Sequence, residues 1–310
     1  MPNQAPTGSI RSFLLGLQER LCSSLAAEDA GARFEGDDRA SPDGGLTRPR
    51  VLEGGAVFER AAVQFSHTVR RDLPPAATQR RPHLAGCAYE AVSVSVIVHP
   101  RNPYVPTTHC NLRFFRVEGD GPGSWWFGGG FDLTPCYGFE QDAVAWHRAA
   151  RDACCALAPS EVAADAVYRQ LKARCDAYFY LPHRSEARGI GGIFFDDLDQ
   201  PDFERCAAFV RCVGDGFLET YLGIVRRRRE HPYGERERAF QLLRRGRYVE
   251  FNLLHDRGTR FGLQSGGAVE SILASLPPEV RWQHAFTPEP GSAEARLAHD
   301  FLRPRDWLSG

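Results

Sequence analysis

The sequence predicts an α+β fold: one domain over residues 1–310 whose core is a large, mostly antiparallel β-sheet. Three observations predict it. Two long period-two runs lie within Tyr89–Tyr137 and are joined by a proline-rich corner. Apolar residues recur at helical spacing in several segments on either side of them. Turn signals join strand to strand more often than strand to helix to strand, which favours hairpins over β-α-β units. No linker-like stretch divides the chain, and no internal repeat is visible.

In chain order, residues 10–27 carry Phe13, Leu14, Leu17, Leu21 and Leu25 at helical spacing. Residues 31–55 are rich in Gly, Pro and Asp and read as a long loop. Val57–Val69 reads as a short strand whose end the sequence leaves open, and residues 72–83, with three prolines, as a second loop. The two organising strands follow. Glu140–Leu157 reads as a helix, with Ala143, His147, Ala150 and Cys154 on one face. Ser160 caps the next helix, which ends at Tyr178-Phe179-Tyr180. Gly189–Leu198 reads as a buried strand ending in two carboxylates. Phe203–Arg229 is a long helix, broken near Gly214 or Gly216, whose Arg226–Arg229 end is solvated and opposes the helix dipole. Tyr248–His255 and Arg260–Gln264 read as a hairpin about the turn Asp256–Thr259. Ser265-Gly266-Gly267 then leads into a helix at about Val269–Ser275, its glycine pair offering backbone N–H groups to an anion. A last helix lies in Gly291–Gly310.

The strand chemistry stands out. His109, Asn111 and Arg113 alternate with Cys110, Leu112 and Phe114, so the first three share one face, about 6.5–7 Å apart each. On the preceding run, Ser93, Ser95, Ile97 and His99 share the face opposite Val92, Val94, Val96 and Val98. Pairing of the two runs would gather Ser95, His99 and His109 over one polar pocket; a half-solvated sheet face is the plainer reading. Gly128, Gly129 and Gly130 mark a bulge or a close backbone approach. Asp132 follows among large apolar residues and requires a partner or a ligand there. Two site chemistries fit. One is a cleft for a polyanionic organic substrate, with Arg113 and backbone donors for carboxylates, Asp132 for N–H groups or a cation, and His109 for proton transfer. The other is a metal site of His99, His147 and His183 converging from three elements. His147 lies on an apolar helix face, where a satisfied core histidine is the commoner outcome. Trp125 and Trp126 fill the core or pack against a ligand.

Composition narrows the classes. A net charge of −1 gives no basic field for nucleic acid. No apolar run approaches the ~18 residues of a membrane span, and the first twenty residues lack the marks of a signal peptide. An interior location follows as the expectation, and with it nine free cysteines, mostly buried. Lys172 is the single lysine, so a Schiff base is excluded at any other position. No G-x-G-x-x-G or G-x-S-x-G spacing occurs.

Four long blocks carry a resemblance. They are VSVIVHPRNPYVPTTHCNLRFF, WWFGGGFDLTPCYGFEQDAVAWHRAARD, YLPHRSEARGIGGIFFDDL, and GERERAFQLLRRGRYVEFNLLHDRGTRFGLQSGG followed by ESILASLPP. Together they closely resemble the oxygen-dependent coproporphyrinogen III oxidases, from the first helix to Arg305-Asp306-Trp307. The resemblance implies a broad, flat antiparallel sheet with helices on both sides. It implies a cytoplasmic homodimer whose contact maps to about Tyr248–Gln283. The implied substrate is coproporphyrinogen III, with two propionates oxidatively decarboxylated to vinyl groups to give protoporphyrinogen IX. Molecular oxygen is the implied co-substrate, and no organic cofactor is needed. His109 falls on the family's proton donor. Ser95, Asn111, Leu112, Arg113, Gly266, Gly267 and position 268 fall on its substrate-binding residues. Asp132 falls on the aspartate thought to face the pyrrole N–H groups, and His99, His147 and His183 on ligands proposed for a divalent metal. The chain departs from the family pattern at Ala268, where Arg is usual, in the eroded segment Asp38–Arg50, and at His255, where an aromatic is usual. The alternative these departures raise is a divergent paralogue, or a non-enzymatic tetrapyrrole-binding protein on the same scaffold.

Overall fold

The structure, a computed structural model, describes residues 7–73, 81–118, 125–264 and 269–309. A seven-stranded antiparallel sheet forms its centre, in the order β1 (Arg39–Ala40), β2 (Leu46–Glu53), β3 (Phe58–Arg70), β4 (Tyr89–Pro100), β5 (Thr107–Val117), β6 (Trp125–Thr134) and β9 (Gly191–Leu198). The first six form a meander. Between β6 and β9 run α2 (Glu140–Ala153), α3 (Glu161–Tyr178) and a small hairpin of β7 (Tyr180–Leu181) and β8 (Glu186–Ala187). The α+β class and the pairing of the two organising strands are as the sequence predicts, with Ser95 opposite Asn111 and Ile97 opposite His109.

The alternation of side chains gives the sheet two unlike faces. Val92, Val94, Val96 and Val98 join Cys110, Leu112, Phe114, Phe127, Phe131, Ile193 and Phe195 in the main core. Over this face lie α1 (Thr7–Glu28), α2, α3 and α4 (Phe203–Arg228). Helix α1 is held by Ile10, Leu14, Leu17, Leu21 and Leu25, all fully buried, each contributing about 1.5–3 kcal/mol. Gln18 ties it to the strands, donating to the carbonyls of Arg48 at 2.7 Å and Val63 at 3.0 Å. Ser160 caps α3 by accepting from the Ala163 N–H. On the other face lie α5 (Glu235–Leu254), α6 (Arg257–Gln264) and α7 (Val269–Leu273), tied down by Arg60 to the Leu276 carbonyl and by Gln64 to that of Ser271. A short α8 (Ala293–Arg296) precedes the C-terminal turn.

Four expectations are corrected. The expected loop 31–55 contains β1 and β2, and β2 pairs along its whole length with β3. Pro49 is tolerated because the chain there bonds alternately: Val51 exchanges hydrogen bonds outward with Glu35, so Pro49, two residues earlier, also points away from β3. The expected hairpin 248–264 is helical. The inward face of α5 is polar, with Gln241, Arg244, Arg245, Tyr248 and Asn252 all buried at helical spacing. Buried Phe240, Leu243, Val249 and Phe251 are interleaved with those polar groups, so the apolar period was interrupted, and the alternation Val249, Phe251, Leu253 imitated a strand. Helix α4 runs unbroken through Gly214 and Gly216. Gly214 instead lets α1 approach, since a Cβ there would stand 2.8 Å from the Leu17 methyl. Finally, the arginine run closing α4 is not merely solvated: Arg227 and Arg228 donate to buried Asp142, and Arg226 and Arg229 to buried Glu28.

All nine cysteines are free, five of them buried. Trp126 packs in a small cluster with Leu73, Leu84 and Val117, stacked on Phe115 with Arg81 over its ring, while Trp125 packs against Phe203. Gly266, Gly267 and Ala268 lie outside the described residues.

Candidate active site

The polar face of the sheet converges where β5, β6 and β9 meet α5. Register places His109 beside Asp132 and Gly192 in one row, and Asn111 beside Gly130 and Phe194 in the next. Gly128, Gly130 and Gly192 add no side chain to this face, so the polar groups border a floor of bare backbone. Gly129 and Gly130 hold φ of +151° and +145°, a conformation that favours glycine, and a Cβ on either would collide with a carbonyl of the neighbouring strand, Asn111 O or Ile193 O. The predicted bulge is also present, as a register shift between Phe127 and Gly129.

Asp132 is fully buried and fully partnered. Arg188 Nη2 donates to its two oxygens at 2.7 and 2.8 Å, and His109 Nδ1 donates to Oδ1 at 3.0 Å. Burial alone would raise the Asp132 pKa, but the Arg188 charge and the His109 hydrogen bond outweigh it and hold the carboxyl below its usual range. Arg188 is itself enclosed. Its guanidinium lies 4.0 Å from the Phe179 ring and 4.6 Å from those of Tyr248 and Phe251, and Nη1 donates to Asn252 Oδ1 at 3.0 Å. Since the carboxylate can only accept, His109 carries its proton on Nδ1. Among the described residues no group hydrogen-bonds His109 Nε2, and the side chain is 24% exposed. The arrangement is a base oriented by a buried carboxylate, with its second nitrogen open to a ligand.

Further along the face, Arg113 lies across Gly128, donates to Asn111 Oδ1 at 2.9 Å and pairs with Asp196 at 2.6 Å. Asp196 also accepts from Arg257 of α6 at 3.3 Å. Asp256, between α5 and α6, accepts from the Tyr178 hydroxyl and from Thr259. Ser95 lies on this face beside Asn111. Leu112 is fully buried on the opposite face, so it can offer a ligand only its backbone.

The three other histidines stay apart. His147 donates from Nε2 to the Ile190 carbonyl at 3.0 Å and accepts at Nδ1 from the Tyr168 hydroxyl at 2.9 Å, under α2 in the main core. His99 lies on the other side of the sheet, donating to the Ser275 carbonyl at 2.9 Å with the Tyr248 ring edge-on to it. Burial lowers the pKa of both to about 3, so both are neutral. His183 is at the surface, bonded to Glu250 and 3.3 Å from His255. The expected convergence of His99, His147 and His183 is therefore corrected within one chain, because each ring is committed to a different element. Among the described residues no three His, Cys, Asp or Glu side chains are placed to hold a metal ion. The pocket expected over Ser95, His99 and His109 is likewise divided: His99 is covered by Tyr248 and Ser275, while His109 turns to Asp132.

Sequence reasoning missed Arg188, Asn252, Tyr248 and Asp256. Arg188 is an isolated arginine before a glycine-rich strand, and the rest sit on the segment read as a hairpin. A cleft of about 800 Å³ elsewhere, lined by Asp29, Glu35, Glu53 and Glu270 among others, shares none of these residues. The site is thus a carboxylate-oriented histidine on a glycine floor with an arginine beyond it. A comparison with protein families bears on what it acts upon: the family model described as coproporphyrinogen III oxidase matches residues 9–307, nearly the whole chain. The chain belongs to the coproporphyrinogen III oxidase family.

Proposed function

We propose that the protein converts coproporphyrinogen III to protoporphyrinogen IX, using molecular oxygen to decarboxylate two propionate arms to vinyl groups. For each arm, the propionate loses carbon dioxide and two electrons with a β-hydrogen. Oxygen takes the electrons and, with one further proton, leaves as hydrogen peroxide. The reduced macrocycle is electron-rich and supplies those electrons itself, so the protein's contribution is orientation and proton management. The observation that carries this reading is the His109–Asp132–Arg188 unit beside a glycine floor, a surface suited to a broad ring bearing N–H groups and anionic arms. His109 Nε2 moves the proton. Asp132, already saturated by Arg188 and His109, acts on the ring mainly by fixing His109 and lending it negative charge. Arg113 takes a carboxylate.

A homodimer through about Tyr248–Gln283 and a cytoplasmic location belong to the same proposal. In and beside that segment Leu253, Leu254, Leu263, Val269, Trp282 and Phe286 are exposed in the single chain. No helix among the described residues is long and apolar enough to cross a membrane. The test is to mix the purified protein with coproporphyrinogen III prepared without oxygen, then admit air. Product is followed as porphyrin fluorescence after chemical oxidation. Protoporphyrin in air and none without it supports the proposal. Tight binding of the macrocycle with no product in air supports a carrier or a divergent paralogue instead, the reading that Ala268 favours.

A further inference from the structure

We infer that Arg257 is a second carboxylate-binding arginine of this site and that Asp196 is a placeholder, holding Arg113 and Arg257 until a substrate carboxylate replaces it. The inference rests on the proposed reaction for the identity of the ligand, the propionate arms of a tetrapyrrole. Its grounds are the geometry at the end of β9.

Gly192, Phe194 and Asp196 alternate onto the same face as His109 and Asp132. Asp196 presents Oδ1 to Arg113 at 2.6 Å and Oδ2 to Arg257 at 3.3 Å, so two guanidinium groups from separate elements share one carboxylate. Arg257 is set against a prepared surface. Its guanidinium lies 5.0 Å from the Tyr178 ring and 5.7 Å from that of Phe194, and those rings stack on each other at 4.6 Å, 6° from parallel. Arg113 is set against the bare backbone of Gly128.

The two ion pairs of the site differ in kind. Arg188 and Asp132 are closed to solvent, at 3% and 2% exposure, whereas Arg113, Asp196 and Arg257 remain open at 25%, 24% and 58%. The Arg257–Asp196 pair is solvent-exposed and contributes little net stability, so an incoming carboxylate can replace Asp196 there at small cost, while the partly buried Arg113 pair needs the replacement to restore its bond. Each arginine fork then receives an acceptor of the same geometry as the one it releases. The four-residue step from His109 to Arg113 spans about 13 Å along β5, a width comparable with that of a tetrapyrrole. A ring placed at His109 therefore has an arm within reach of the two arginines.

The test uses fluorescence titration of coproporphyrin III, and of its neutral tetra-amide, into the wild type, Arg257→Gln and Asp196→Asn. Arg257→Gln should weaken the free acid about ten-fold or more, the loss expected for a charge-assisted pair, and leave the amide unchanged. Asp196→Asn removes the competing carboxylate. It should tighten the free acid, leave the amide unchanged, and lower KM in turnover. The inference is overturned if Arg257→Gln leaves the acid unaffected or weakens acid and amide alike, or if Asp196→Asn weakens the acid. Turnover in the wild type with no Arg257 effect refutes this inference alone. Arg257-dependent binding without turnover supports it and refutes the proposed reaction.

Discussion

His109 is placed to act by the groups behind it. Asp132 fixes its Nδ1 proton, and Arg188 keeps Asp132 ionised. His109→Ala should therefore lower kcat by roughly 10²–10⁴, the usual range for a general acid–base group, and change KM little, as read by steady-state kinetics. Arg188→Leu belongs to a different class, because it strands a buried carboxylate. It should cost about 3–5 kcal/mol of stability, measured by denaturant unfolding. The buried histidines make a separate claim. His99 and His147 have pKa values near 3, below the ~6.5 of an unfolded histidine. The unfolded chain thus binds more protons between those values, and stability must fall as pH drops from ~6.5 towards 3. Between pH 7 and pH 5 each contributes a loss of ~2 kcal/mol, and His147→Gln should remove one share of it. Asp132 adds nothing in that window, since its lowered pKa leaves its contribution intact until pH falls below ~3.9. At this scale the sequence was informative about polar strand residues and silent about their partners. His109, Asn111 and Arg113 were legible because a two-residue period fixes a shared face. Arg188 was not, because nothing local distinguishes an arginine that will reach across to another strand.

Among the elements, β6 and β9 depend most on glycine. Gly130 holds a positive φ, and any Cβ there meets the Ile193 carbonyl. Gly130→Ala should cost ~3 kcal/mol or more, from backbone strain plus overlap, and separate β9 from β6. Hydrogen exchange of the 191–198 amides would detect that separation; protection equal to wild type would contradict it. Elements were legible where burial is one-sided and apolar, as in α1, β4 and α3. They were misread where the buried face is polar. Helix α5 directs Gln241 and Arg245 to the Pro100 carbonyl and Arg245 also to Glu59, so its buried side interleaves charge and amide groups with Phe240, Leu243 and Phe251. Strand β2 was hidden for another reason: it lies near the sheet edge, where Pro49 and alternating arginines are tolerated.

For the whole molecule, one apolar cluster extends from Ile10 to Trp307, while the site lies on the opposite, polar face under α5 and α6. The surface that α5, α6 and the following segment leave open is the proposed dimer contact. There Leu254→Asp should shift the mass in solution from dimer to monomer, as read by light scattering. Fold class was legible at this scale because strands and helices have different periods. The convergence of distant side chains was not, and the three histidines that the resemblance gathers are held apart by their own hydrogen bonds. The measurement that tests the central claim most directly is the stoichiometry of turnover by chelator-treated protein in a sealed oxygen electrode. Two oxygen molecules consumed and two carbon dioxide molecules released per protoporphyrinogen formed is the predicted result. Product formed without oxygen uptake would contradict it.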